Sequence, residues 1–337
     1  MSKTLVLQPL PGIGDMIWHL PHIAAIAAQT PTGTVSLAAK PSSHADQILA
    51  DAAHIVDILW LEPHHTHGPL GFWRLARHLR PYDFTEAWIL HGSPRYAAAA
   101  ATAGIPLRRG FGLGWQRPWL THHAGLAAAD RRMLSDRKAA QLITRHGGTL
   151  DPTPRFRPAA DERAWAGREI GAMGGRHVVL GIGASQKFKQ WGIANFAAAI
   201  AALQQDHGAW VHVLAGAAEK EMADSLVAGA PHPERLRVHL KQSMGRCAAL
   251  ALAGDLFVGN DSGMLNLAAA AGARVVGLFG GSPPLDIYPD LIAVTPPDGH
   301  VTYQVDRMDD ITVAQVLAVV ERAWRQPVSF SRRDEMA

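Results

Sequence analysis

The chain of 337 residues holds a single cysteine, Cys247. One thiol excludes an intramolecular disulfide and every zinc or iron–sulfur site built from several cysteines, and it fits a reducing compartment. No run of 18 uninterrupted apolar residues occurs, because the alanine-rich stretches stop at Arg95, Arg108 and Arg274, so no membrane-spanning helix is expected. A strong excess of one charge is also missing. Net charge is +3, with 18% charged and 48% hydrophobic residues, which excludes an extended disordered chain. No basic stripe runs through both halves and no binding motif is present, so nucleic acid is not an expected partner. Met1-Ser2-Lys3 leads straight into Leu5-Val6-Leu7, so no signal peptide is expected and the reading is of a cytoplasmic protein.

The length exceeds the roughly 250–300 residues at which single cores stop growing, so two domains are expected. Charge divides the same way. Met1–Arg155 carries 15 Lys and Arg against 10 Asp and Glu, and the remainder carries 17 against 19. A basic first half points to an anionic partner. Short apolar runs alternate with Ala- and Leu-rich stretches of helical period, the pattern of parallel sheets covered by helices. Strands are expected at Thr4–Gln8, Thr34–Ala38, Ile55–Leu59, Phe84–Ile89, Arg109–Phe111, His177–Gly181, Trp210–Leu214, Asp255–Val258 and Arg274–Leu278. The longer helices are expected at Met16–Ala28, Gly71–Leu79, Arg95–Ala103, Arg132–His146, Asp161–Ile170, Ile193–Gln205, Glu219–Val227, Arg246–Ala253 and Thr312–Trp324. Asp151–Pro158 carries three prolines in eight residues and reads as an extended linker. The expected domains are 1–155 and 156–326, with the last helix, 312–324, packing back on the first domain and a loose tail over 327–337.

Ligands of open α/β sheets bind beyond the carboxyl ends of strands, near helix N-termini. Three loops of that kind stand out. Leu10-Pro11-Gly12-Ile13-Gly14-Asp15 follows the first strand. Ile17 stands where a dinucleotide fingerprint needs its third glycine, and a carboxylate there would repel a pyrophosphate. Asp15 therefore reads as a helix cap or, facing a cleft, as a general base. The second loop, Gly181 to Trp191, has Gln186 at the third glycine position. It offers small residues, Ser185, Lys187 and Lys189, which suit phosphate oxygens, against the plainer reading of a solvated lysine pair. The third, Gly259-Asn260-Asp261-Ser262-Gly263, opens a helix and offers bare N–H donors, against the plainer reading of an Asp or Ser cap.

Together these loops resemble glycosyltransferase family 9, the bacterial heptosyltransferases of lipopolysaccharide core assembly. The resemblance runs through Gly12-Ile13-Gly14-Asp15 with Pro21, Gly183-Ala184-Ser185 with Lys189-Gln190-Trp191, and Leu214 to Glu219. It continues through Asn260-Asp261-Ser262-Gly263 to Leu278-Phe279-Gly280 and Pro284, and closes at Met308 and Ile311-Thr312-Val313. It implies an α/β GT-B fold, two Rossmann-like domains facing across a cleft. The first would receive an anionic acceptor, lipid A with its inner core, and the second an ADP-sugar donor. No metal or other cofactor is expected, in keeping with the lack of an Asp-x-Asp motif before any plausible donor site. By resemblance, Asp15 is the base, Lys189 neutralises the departing ADP, and Gly183, Ser185, Ser262 and Gly263 bind pyrophosphate. Asp261 braces its turn or meets the sugar, and Glu219 binds ribose. Gly14 lies on the acceptor side. Asn266 stands where many members have His, Lys189-Gln190-Trp191-Gly192 replaces Lys-Arg-Trp-Pro, and Gly280-Gly281-Ser282 replaces Gly-Pro-Thr.

Arg74 and Arg77, with Arg80, share a helix face and with Arg109 and its neighbours form a candidate acceptor-docking surface. Phe72, Trp73, Trp115 and Trp119 read either as contacts with a membrane surface or acceptor sugars or, the favoured expectation for each, as core packing. His64, His65 and His67, like His122-His123, lack a nearby carboxylate and are not expected to form a functional metal shell. The leading expectation is an inverting, metal-independent transfer of heptose from an ADP-sugar to a lipopolysaccharide acceptor, peripheral at the inner face of the inner membrane. The alternatives are a transferase-like binding protein with lapsed catalysis, a transferase acting on a protein or another surface glycan, and a nicotinamide-dependent oxidoreductase, which fails at Ile17 and Gln186.

Overall fold

The structure, a computed structural model, describes residues 3–288 and 290–325; the tail expected over 327–337 lies outside the described residues. The chain divides into two compact units, Met1–Pro154 and Arg155–Ala337. The first contains β1 (Thr4–Gln8), α1 (Ile13–Ala28), β2 (Val35–Ala39), α2 (Ala45–Ile48), β3 (Ile55–Trp60), α3 (Pro63–Thr66) and α4 (Gly71–Leu79), then β4 (Glu86–Ile89), α5 (Pro94–Thr102), β5 (Leu107–Gly110), β6 (His122–His123) and α6 (Ser135–Arg145). The second contains α7 (Ala160–Gly171), β7 (His177–Gly181), α8 (Ile193–His207), β8 (Trp210–Ala215), α9 (Lys220–Gly229) and β9 (Leu236–Leu240), then α10 (Met244–Ala253), β10 (Leu256–Asn260), α11 (Gly263–Ala270), β11 (Val275–Leu278), β12 (Leu291–Val294) and α12 (Val313–Arg325).

Each unit has one six-stranded, all-parallel sheet. The orders are β3-β2-β1-β4-β5-β6 and β12-β11-β10-β7-β8-β9, the same doubly wound order in both. Chain direction across the sheet reverses between β1 and β4 and between β7 and β10, where the crevice outside the strand ends takes ligands. Central strands are buried on both faces and so read as continuous apolar runs. Leu5, Val6 and Leu7 of β1 are fully buried, as are Val178 and Val179 of β7. Each such side chain stabilises by about 1.5–3 kcal/mol relative to exposure.

Three strands are absent from the sequence pattern. β9 and β12 are sheet edges with partly exposed side chains, and β9 carries Arg237 and His239 between its apolar residues. β6 is only two residues long. The last helix is α12. Its stripe of Val316, Val320 and Ala323 lies in the core of the second unit. The Arg274 guanidinium ties its end by donating to the Ala323 carbonyl at 2.6 Å.

The four aromatic residues assigned to the core divide. Phe72 packs against it, but Trp73, Trp115 and Trp119 are 54%, 83% and 41% exposed. Leu75, Ala76 and Leu79 already form the buried stripe of α4, and the tight turn Gly114–Trp119 buries only Gln116. Among the described residues no helix is long and apolar enough to cross a membrane.

Candidate functional site

In the second unit the loops after β7 and β10, neighbours at the strand reversal, converge on one carboxylate. Lys189 sits in the tight turn Lys187–Lys189, and its Nζ donates to Asp261 Oδ2 at 2.6 Å. The side chains are 23% and 8% exposed, so the pair faces outward from a largely buried base. Ser282, from the loop after β11, donates its hydroxyl to the same carboxylate oxygen. Asn260, fully buried, binds the two loops together: Oδ1 accepts from Trp191 N at 3.1 Å and Nδ2 donates to the Ile182 carbonyl at 2.8 Å. Sequence reasoning gave neither Ser282 nor Asn260 a role. The hydroxyl after a double glycine at a strand end was the available signal for Ser282.

Ser262 occupies the N-cap position of α11 but makes no capping bond, and its Oγ is buried without a partner. The plain capping explanation of this turn therefore fails. A hydroxyl left open beside the bare N–H groups of a helix start, with a lysine across the turn, is an anion site in chemical terms. Asn266 is buried, and its Nδ2 donates to the Ser262 carbonyl at 2.9 Å. Glu219 precedes α9, and its Oε2 accepts from Gly216 N at 3.0 Å. A Cβ on Gly183 would lie 3.0 Å from Glu219 Oε1, so glycine is what lets these two loops approach. Ser185 is exposed on the same loop as Lys189.

In the first unit, Asp15 lies in the first turn of α1, one residue after Gly14, and its Oδ2 accepts from Gly12 N at 3.1 Å. His91, just beyond β4, lines the neighbouring strand end and was missed by sequence reasoning. Its Nδ1 accepts from Ser93 N at 3.0 Å, and burial, with help from Lys40 and Lys138, lowers its pKa to about 4.

Of the arginines assigned to acceptor docking, Arg74 and Arg77 lie on α4 and Arg109 lies on β5. Arg74 donates to the carbonyls of His64 and His67 and so braces the segment before α4, while Arg77 is exposed on α4. Arg109 is paired with Glu86 at 2.7 Å and lies over the Trp88 ring, because β5 runs beside β4. Arg117 and Arg131 instead line a cavity of about 320 Å³ with Gly112, Leu113 and Leu126. Among the described residues no three His, Cys, Asp or Glu side chains converge as a metal shell.

The profile of glycosyltransferase family 9 (heptosyltransferase) matches residues 72–296, two thirds of the chain. The chain belongs to glycosyltransferase family 9. It is thereby a glycosyltransferase of the heptosyltransferase family, and the matched span contains Lys189, Glu219 and Asp261–Asn266 but not Asp15. Its fold is GT-B, as the solved structures similar to it indicate. The ADP-heptose lipopolysaccharide heptosyltransferase II of Escherichia coli is 18% identical with a TM-score of 0.75, over 96% of this chain and 98% of that one. A glycosyltransferase family 9 protein of Veillonella parvula is also 18% identical, with a TM-score of 0.77 over the same shares. The E. coli heptosyltransferase WaaC, solved with ADP-2-deoxy-2-fluoro heptose, is 15% identical with a TM-score of 0.69, over 95% of this chain and 99% of that one. No curated protein matches the chain by sequence.

Proposed function

We propose that this family member transfers a heptose, with inversion and without a metal, from an ADP-sugar to an anionic lipopolysaccharide inner-core acceptor. The observation that carries the reading is the Lys189–Asp261–Ser282 cluster beside the open Ser262 hydroxyl at the strand reversal of the second unit. Lys189 has three N–H donors and can keep Asp261 while meeting a diphosphate oxygen. Ser185, Ser262, Gly183 and the amides of Gly263 and its neighbours take the remaining phosphate oxygens, and Glu219 takes ribose hydroxyls. Asp15 removes the proton of the attacking acceptor hydroxyl as its oxygen bonds to the anomeric carbon. The bond from that carbon to the phosphate oxygen breaks, and its electron pair leaves with ADP. Positive charge on the leaving-group side and a base on the acceptor side are what a single displacement needs.

A similar structure named for ADP-heptose and another named with ADP-2-deoxy-2-fluoro heptose support the donor. The Arg117–Arg131 cavity and exposed Trp115 support an anionic acceptor met at the inner face of the inner membrane, with the chain in the cytoplasm. The deciding experiment is a thermal-shift panel of ADP, UDP, GDP and NAD, followed by transfer from ADP-heptose to extracted core acceptor with and without EDTA. A shift confined to ADP and EDTA-insensitive transfer are expected. A UDP or GDP preference overturns the donor, and loss of transfer in EDTA overturns metal independence. The internal bond of Asn266 favours one second reading, a transferase-like binding protein; ADP binding without turnover would establish it.

A further inference from the structure

The geometry points to His19 and Gln8 as positioning residues for Asp15, holding the turn that carries its carboxylate through the Asp15 backbone carbonyl. The inference rests on the reading of Asp15 as the base. His19 Nδ1 lies 2.7 Å from the Asp15 carbonyl oxygen, and Gln8 Nε2, at the end of β1, lies 3.4 Å from it. Both side chains are fully buried. A carbonyl only accepts, so Nδ1 carries the His19 proton. Burial lowers the His19 pKa, which keeps the ring neutral with that single N–H.

Two further observations separate this contact from ordinary packing. First, α1 contains Pro21, which has no N–H to give the Ile17 carbonyl, so the ladder joining the first turn to the rest of the helix is broken at that point. Side-chain bonds flank the break: His19 to Asp15, and His22 Nδ1 to the Trp18 carbonyl at 3.0 Å. Second, the buried side of this turn is polar at a cost. His19 Nε2, Gln8 Oε1, His22 Nε2 and Asp136 Oδ1 are all buried without a protein partner. An apolar residue at position 19 would remove one of those unmet groups, whereas histidine keeps the bond to Asp15 and accepts the loss. With Gly12 holding Asp15 Oδ2 from above at 3.1 Å, the residue is fixed at both its carboxylate and its carbonyl.

The test is a double-mutant cycle on kcat, with His19→Phe and Asp15→Asn alone and together, each with ADP thermal shift and donor KM. His19→Phe should lower kcat about tenfold through misplacement of the base, with KM and the ADP shift unchanged. In the Asp15→Asn background the same substitution should change nothing further. His19→Asn, which keeps a donor near the position of Nδ1, should recover kcat to within about threefold of the parent. The 15N shifts of His19 in the unaltered enzyme should report the Nδ1–H tautomer. A parental kcat in His19→Phe, an equal loss in both backgrounds, or an Nε2–H tautomer overturns the positioning role and leaves Asp15 as base. Full activity of Asp15→Asn overturns both.

Discussion

The two units share one strand order, yet they treat buried histidines in opposite ways. In the second unit His177, His212 and His239 form a chain across β7, β8 and β9. His177 Nε2 meets the Met173 carbonyl at 2.9 Å, His177 Nδ1 meets His212 Nε2 at 3.0 Å, and His212 Nδ1 meets His239 Nε2 at 3.1 Å. Because the Met173 carbonyl only accepts, every link in the chain is fixed: each ring donates from Nε2, and Nδ1 of His177 and His212 accepts. In the first unit His19 and His22 donate from Nδ1 to their own helix and leave Nε2 unmet. The satisfied network links side chains of three neighbouring strands, whereas the unsatisfied one lies directly behind Asp15. The lesson is that polar satisfaction is relaxed where one particular bond matters more than the sum.

The sharpest way to test the division of labour between the units is to remove one charged group from each. Asp15→Asn should cut transfer by about 10²–10⁴ while leaving the ADP thermal shift intact, since only proton removal is lost. Lys189→Met should lower both transfer and the ADP shift. It also strands Asp261, 8% exposed, with a carboxylate whose cation is gone, and should destabilise the second unit by about 3–5 kcal/mol. Adding Asp261→Asn should restore the melting temperature but not transfer. Restoration of both would make the lysine purely structural.

Most of the architecture was legible in the sequence, because central parallel strands are buried on both faces and cannot hide their apolar runs. β1, β7 and α4 fall within the expected residues at both ends. Two edge strands, β9 and β12, were lost because their partly exposed side chains and, in β9, the polar Arg237 and His239 interrupt the apolar pattern. The candidate site was legible as loops, but not as contacts. Lys189 and Asp261 are 72 positions apart, and only the adjacency of β7 and β10 makes them a pair. The partners of Arg109 were hidden in the same way: spacing along the chain does not reveal that Glu86 and Trp88 on the next strand engage it. His19 carried no signal at all, since an i to i−4 bond to a carbonyl looks in sequence like any helical histidine.

Acid should separate the units. Burial is the main cause that lowers His22 to about 3 and His91 to about 4 in the first unit, and His212 to about 3 in the second. These rings are neutral in the fold and bind protons on unfolding below about pH 6.5, so the unfolded state takes up more protons and stability falls with pH. Each contributes a loss of about 1.4 kcal/mol per pH unit below 6.5, until its folded pKa is reached. His146, also lowered to about 4 in the first unit, is more open and adds less because solvent screens it. With more such groups, the first unit should unfold first as pH is taken from 7.5 to 4.5. Hydrogen exchange resolved by peptide will decide, and earlier exchange in the second unit would reverse the comparison.

The smallest expected effect is the most local. Gly12 has φ −86° and ψ 146°, a conformation open to any residue, so alanine there strains no backbone. Its Cβ, however, would stand 2.7 Å from Asp15 Oδ2, and the carboxylate would have to give way. Gly12→Ala should therefore lower kcat about tenfold through displacement of the base. The melting temperature should fall only modestly, because the displaced carboxylate loosens its bond from Gly12 N and alanine is a poorer N-cap than glycine by about 1 kcal/mol. The matching substitution in the second unit, Gly183→Ala, brings a Cβ to 3.0 Å of Glu219 Oε1, beside the group assigned to ribose. It should raise the ADP dissociation constant and the donor KM with little change in kcat. Titration and steady-state kinetics on the two alanine variants thus set proton removal in one unit against donor binding in the other. A kcat loss from Gly183→Ala, or a donor KM change from Gly12→Ala, would break that assignment.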